Sequence, residues 1–345
     1  MKGEAVAPAP SATMLNVPFV THVTKRPVPF VTLRVGLLYT VGMQKQCSHD
    51  RDIKECPIGV FDSGIGGLTV AREITQQLPG ESILYFGDTL RCPYGPRPLE
   101  EIRGFAHEIA RWLANQGVKL MVIACNSATA AALTSVQREL DVPVIGVVEP
   151  GARAAMQTTV KRRVGVIGTA ATIDSGIYER EIAGFDAGIT TFSAATPKFV
   201  EMVEEGLLFH NWVSSSLDTA DAPRAIDPGQ VKVAHEYLDP LKGNEIDTLV
   251  LGCTHYPLLT PLIAQVMGPD VHIISSAEET ARDVAEILGR KDQLADTHSQ
   301  GTHRLVTTAT DAQRFMALAS SIFLSPISEL TQLGIDELVG TVAAD

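Results

Sequence analysis

The chain has 345 residues, 45% of them hydrophobic and 20% charged, enough apolar matter for one large domain or two of ordinary size with full cores. A formal net charge of −12, with no long run of Lys or Arg, argues weakly against a dedicated nucleic-acid binder, and no apolar stretch is as long as a membrane span. Five scattered cysteines, Cys47, Cys56, Cys92, Cys125 and Cys253, do not make a disulfide framework and point to a reducing, cytoplasmic setting.

Residues 1–56 read as a loosely ordered extension, with Pro8, Pro10, Pro18, Pro27 and Pro29 and no helical period. A half-repeat, Val17–Thr21 and Val28–Thr32, occurs only twice, too few copies for a solenoid. The apolar run Val35–Met43 lies late and lacks a good cleavage site, so it is not read as a signal peptide, and Met43 offers an alternative start.

From Pro57 the pattern alternates. Ile58–Phe61 reads as a strand running into Asp62-Ser63-Gly64-Ile65-Gly66-Gly67, followed by a helix over Leu68–Leu78. Ser82–Phe86 is the next strand, Pro98–Gln116 a helix, Leu120–Ala124 a strand, Ser127–Leu140 a helix and Val144–Val148 a strand. The second half restarts the pattern: Val164–Thr169 mirrors Ile58–Ser63, and Thr248–Thr254 mirrors Leu120–Asn126. Asn211–Gln230 and residues 291–303 read as surface loops, Thr302–Thr308 as a late strand and Asp311–Phe323 as a final helix. Such alternation predicts an α/β fold of two related domains with parallel sheets, their ligands held beyond the strand C-termini in the cleft between them.

Two cysteines occupy matching places there. Leu120–Ala124 runs into Cys125-Asn126-Ser127, and Thr248–Gly252 into Cys253-Thr254-His255-Tyr256-Pro257. A thiol at a strand end that opens a helix is well placed to ionise and react. Two such thiols, one ionised and one not, suit the inversion of a weakly acidic carbon, one removing a proton and the other delivering one to the opposite face. His255 is placed to support Cys253, while Asp62 or Glu204 is available to steer the other thiol. A buried core cysteine is the common alternative for a lone strand Cys, and the paired frame argues against it. Zinc at Cys253 would need two further ligands at suitable spacing, and no CxxC or His pair supplies them.

The Asp62–Gly67 loop lacks dinucleotide spacing; it reads as an anion-binding turn, with a plain helix cap by Asp62 as the alternative. Tyr94-Gly95 reads equally as a cleft wall or an ordinary turn, and physical reasoning alone does not single out Glu204 among 40 acids. No lysine occupies a strand-end motif, so a Schiff base to pyridoxal phosphate is not expected and the reading is of a reaction without a cofactor or metal.

Taken in order, Pro57–Val70, Gly87-Asp88 with Pro93-Tyr94-Gly95, Ala124–Ala128 and Gly252–Pro257 resemble the motifs of the glutamate racemase family, a likeness that runs from residue 57 to about 325. The resemblance implies a cofactor-independent isomerase that interconverts L- and D-glutamate and supplies D-glutamate for peptidoglycan. It implies that Cys125 acts on D-glutamate and Cys253 on L-glutamate, assisted by Asp62, Glu204 and His255. Asp62-Ser63, Tyr94-Gly95, Asn126-Ser127 and Thr254-His255 would bind the substrate. It further implies two flavodoxin-like domains, a first over 57–148 plus about 277–325 and a second over 149–276, with the chain returning near Ser275–Glu278, and a homodimer in the cytoplasm. The chain departs from the family at Ser127, where most members have Thr, in its leader, and in a longer 211–230 loop. An aspartate or hydantoin racemase would use the same cysteine pair, and a non-catalytic binding protein would be expected to have lost one of the two.

Overall fold

The computed structural model describes residues 32–35, 52–204, 227–296 and 299–342. Strand β1 (Thr32–Val35) comes first, and alternation begins at Pro57. The order is β2 (Ile58–Asp62), α1 (Leu68–Gln77), β3 (Ile83–Gly87), α2 (Leu99–Asn115), β4 (Leu120–Ile123), α3 (Asn126–Glu139), β5 (Val144–Gly146) and α4 (Val148–Thr158). A second series follows: β6 (Arg163–Gly168), α5 (Ala170–Asp174), α6 (Ile177–Phe185), β7 (Thr190–Ala195), α7 (Lys198–Glu204), α8 (Pro228–Lys242), β8 (Thr248–Gly252), α9 (Thr260–Met267) and β9 (His272–Ser275). The chain ends with α10 (Ser276–Arg290), β10 (His303–Thr307), α11 (Ala312–Phe323), β11 (Glu329–Gln332) and α12 (Ile335–Val342).

Two parallel sheets result. One has seven strands in the order β1-β11-β10-β3-β2-β4-β5, the other four in the order β7-β6-β8-β9. The four strands β3-β2-β4-β5 and the four strands β7-β6-β8-β9 are wound alike, each in the sequence second, first, third, fourth. This is the flavodoxin-like order, so the two halves repeat one topology as well as one sequence pattern.

Side chains alternate between the faces of each sheet, as the strand period requires. Leu120, Val122 and Ala124 enter the core on one face of the seven-stranded sheet, and Met121, Ile123 and Cys125 the core on the other. In the four-stranded sheet Leu249, Leu251 and Cys253 share one core, and Val250 the opposite one. Both cysteines therefore continue the inward phase of their strands just past the ladder.

Register brings the strand ends to one edge. Asp62 pairs across from Gly87, Phe61 from Ile123, and Gly168 from Gly252. At the opposite edge of the larger sheet, a buried Lys119 Nζ donates to the carbonyls of Lys54 and Gln293, both at 2.9 Å, and lies 2.6 Å from Glu81 Oε2. Glu81 Oε1 accepts from Ala295 N at 2.7 Å, so one ion pair ties the strand starts to the segment that follows α10.

Several expectations are revised. The leader is not loosely ordered throughout: Thr32–Val35 forms an edge strand parallel to β11, and Cys56 is buried and disulfide-bonded, which the cysteine count did not anticipate. The rest of the leader, apart from the short 3-10 turn Ile53–Glu55, lies largely outside the described residues. Of the 211–230 loop only 227–230 is described, and there Asp227 caps α8, which begins at Pro228. α11 is not the final helix, because β11 and α12 follow it. Among the described residues, no helix is long and apolar enough to cross a membrane.

Candidate active site

A small cavity of ≈ 20 Å³ lies at the C-terminal edges of both sheets. Asp62, Ser63, Pro93, Tyr94, Gly95, Cys125, Asn126 and Ser127 line it from the first sheet's loops, and Thr169, Val200, Cys253, Thr254 and His255 from the second's. Ten of the eleven residues singled out in the sequence thus meet in one place. The eleventh, Glu204, stands behind His255 instead of lining the cavity.

Cys125 is the residue just before α3, in extended conformation, and is 6% exposed. Backbone N–H groups of Ala128 and Ser63 stabilise a charge on it, but burial and then the nearby Asp62 carboxylate push its pKa up. This differs from the expectation that a helix N-terminus would favour the ionised form: desolvation outweighs the dipole here. Cys253 is equally buried but does not open an α-helix. Prolines 257 and 261 interrupt the start, so a turn and a 3-10 segment, Tyr256–Leu259, precede α9.

That turn folds His255 back on Cys253. His255 Nδ1 is 3.6 Å from Cys253 Sγ, and Nε2 is 2.6 Å from Glu204 Oε1. Burial would lower the imidazole pKa, yet hydrogen bonds to Cys253 and Glu204 outweigh it and hold the ring well above its ordinary value. Glu204 is the mirror case: burial raises its pKa, and the bond from His255 brings it below the usual carboxylate range. The pair is an imidazolium and a carboxylate, with the cation turned toward Cys253. Close approach of the first loop depends on Gly66, where a Cβ would sit 2.5 Å from Thr254 Oγ1 and 2.6 Å from His255 Nδ1.

Asp62 is fully buried. Its Oδ2 accepts from Gly67 N at 2.8 Å, so the capping alternative is realised in part, and Thr254 Oγ1 reaches it from the other sheet at 3.4 Å. Tyr94, after a cis Cys92–Pro93 bond, donates its hydroxyl to Asp88. Asn126 Oδ1 accepts from Tyr178 at 2.8 Å, while the buried Asn126 Nδ2 has no partner among the described residues. A buried N–H without an acceptor is costly, and a carboxylate in the cavity would satisfy it. Ser127 Oγ lies 2.8 Å from Thr169 Oγ1.

Thr169, Val200 and Pro93 were not expected. Thr169 had a signal, since Val164–Thr169 repeats Ile58–Ser63 and puts Thr169 where the first half has Ser63. Val200 is four residues before Glu204 on α7, so both project from one helix face. Among the described residues, no group of three or more His, Cys, Asp or Glu side chains is arranged to hold a metal ion.

The sequence model of the Asp/Glu/Hydantoin racemases matches residues 58–284. A glutamate racemase of Bacillus cereus is 44% identical over 280 residues, covering 81% of this chain and 97% of the relative. The crystal structure of a glutamate racemase isoform from Bacillus anthracis shares 42% identity at a TM-score of 0.72, over 82% of this chain and 98% of that one. A Francisella tularensis glutamate racemase solved in complex with D-glutamate shares 32% identity at a TM-score of 0.72, over 82% of this chain and 99% of the other. Sequence, topology and the matched solved structures agree: the chain belongs to the Asp/Glu/Hydantoin racemase family and, within it, to the glutamate racemases, isomerases that act on an amino acid.

Proposed function

We propose that the protein interconverts L- and D-glutamate by two proton transfers between the substrate α-carbon and the thiols of Cys125 and Cys253. The observation that carries this reading is the entry of both thiols into one cavity from two different sheets. In one direction the Cys253 thiolate takes the α-hydrogen as a proton, and the C–H electron pair passes into the α-carboxylate. Cys125 S–H then delivers its proton to the opposite face, leaving a Cys125 thiolate and a Cys253 thiol. The reverse direction exchanges the roles.

The surroundings suit this division of roles. The His255 ring faces Cys253 Sγ at 3.6 Å, while burial and then the Asp62 carboxylate raise the Cys125 pKa. Asn126 Nδ2 offers a donor to a substrate carboxylate, and Asp62 an acceptor to the ammonium. The described lining contains no lysine that could form a Schiff base, and in this reading the two thiols carry both proton transfers. The product would serve peptidoglycan synthesis in the cytoplasm, with the enzyme acting as a homodimer.

Circular dichroism of purified protein with L-glutamate, and separately with D-glutamate, tests the proposal without added pyridoxal phosphate. The signal is expected to decay to zero from either side, and Cys125→Ser and Cys253→Ser each to abolish the decay. Decay with aspartate or a hydantoin and not with glutamate would overturn the substrate. Folded protein that racemises nothing would overturn the reaction.

A further inference from the structure

Cys92 takes no part in the reaction above, yet its surroundings are specific. Its Sγ lies 3.7 Å from Glu204 Oε1, the same oxygen that is 2.6 Å from His255 Nε2. The room for this contact comes from Gly64, where a Cβ would sit 2.8 Å from Glu204 Oε1 and 3.2 Å from Cys92 Sγ. Any side chain at 64 would part the two.

Glu204 needs such a hold. It is the last described residue of α7, its side chain is 24% exposed, and it also borders a separate cleft of ≈ 320 Å³ toward which it could turn. Two side-chain donors converge on its carboxylate, His255 Nε2 and Cys92 Sγ. Arg314 donates to its main-chain carbonyl and leaves the carboxylate alone. Burial, then the charges of Glu204 and Asp62, keep Cys92 in its thiol form, so it acts as a donor throughout the working pH range.

We infer that Cys92 is a positioning residue, its S–H pinning Glu204 Oε1 against His255 and so holding the imidazolium on Cys253. The inference rests on the reading of Cys253, His255 and Glu204 as one catalytic arm. It confines the influence of Cys92 to the Cys253 half of the reaction.

The test compares wild type, Cys92→Ala, Cys92→Ser and Glu204→Gln as full chains, each checked for folding by circular dichroism. Loss of one hydrogen bond to a charged group is expected to lower kcat/KM about tenfold in Cys92→Ala, while Cys92→Ser, which keeps a donor, recovers most of it. An equilibrium constant near one obliges kcat/KM to fall alike in both directions, so the diagnostic is the primary deuterium isotope effect with α-deuterated L- and D-glutamate. Slowing only the Cys253 step raises the effect for one enantiomer and lowers it for the other, with the same sign in Cys92→Ala as in Glu204→Gln. Unchanged rates in Cys92→Ala, or lost rate with both isotope effects unmoved, would overturn the role of Cys92. Glu204→Gln with wild-type rates and isotope effects would instead overturn the arm itself. Should Cys92→Ala not fold, Cys92→Val, which fills the site and also lacks the donor, is expected to give the same isotope pattern.

Discussion

His255 Nε2 and Glu204 Oε1 lie 2.6 Å apart across two segments that are 51 residues distant in the chain, and both pKa values move so as to keep the pair charged. The His255 pKa is raised in the folded protein, so the pair contributes fully to stability below about pH 6.5 and loses that contribution as pH rises through the folded value. The lowered Glu204 pKa sets the acid limit, where the contribution fades only as pH falls through that value. Urea midpoints of wild type and Glu204→Gln are therefore expected to differ most near and below about pH 6.5 and to converge as pH rises through the raised His255 value. A difference that stays constant from neutral to alkaline pH counts against the charged pair.

Gly66→Ala places a methyl group against Thr254 Oγ1 and the His255 ring. The imidazole must shift away from Cys253, and a displacement of about 1 Å costs on the order of 100-fold in rate. The expected result is a folded protein with kcat/KM down by about that factor. Wild-type kinetics would show that the loop and turn do not need this close approach.

Lys119→Met strands Glu81 as an uncompensated buried charge. Such a break costs about 3–5 kcal/mol, whereas Lys119→Met combined with Glu81→Leu restores most of the loss. Urea denaturation measures both, and kcat is expected to be unaffected in the folded fraction because the pair lies at the sheet edge opposite the cavity. A double variant as unstable as the single one would mean that the carbonyl contacts to Lys54 and Gln293 matter more than the charge.

Tyr94→Phe removes a hydroxyl that donates to the buried Asp88, which also accepts from Arg91 Nε at 2.5 Å and Thr308 Oγ1 at 3.0 Å. Loss of a bond to a charged acceptor is expected to cost about 1.5–3 kcal/mol in chemical denaturation. A rise in KM should accompany it, since Tyr94 lines the cavity. Unaltered stability would show that Arg91 and Thr308 alone satisfy the carboxylate.

Much of this architecture was legible because parallel strands buried on both faces write continuous apolar runs, and because the two halves write the same run twice. Cys125 and Cys253 stood out as the residues where those runs stop in phase with the inward face. What happens after Cys253 was less legible: the same strand-Cys pattern suggested a helix, but Pro257 and Pro261 convert the start into a turn that delivers His255 to the thiol. Glu204 was reachable only through family likeness, since its partner is distant in sequence and no local period marks it. β11 and β1 were missed because each is only four residues long, and the edge pairing that stabilises them is tertiary. The pKa of Cys125 was not legible, because a helix N-terminus can be read from a sequence, whereas the desolvation that opposes it depends on what the fold packs around the thiol.

The strand order has a consequence for synthesis on the ribosome. The four-stranded sheet is contiguous in the chain, β6 to β9, but the seven-stranded sheet closes only with β10 and β11, which extend it beyond β3. The Lys119–Glu81 staple likewise waits for the carbonyl of Gln293 and the amide of Ala295. A nascent chain of about 275 residues thus already holds every strand of the smaller sheet, while β3 is still an open edge and Lys119 lacks part of its cage. Until β10 and β11 emerge, that edge is exposed to any other growing chain, and their arrival is the event that seals it.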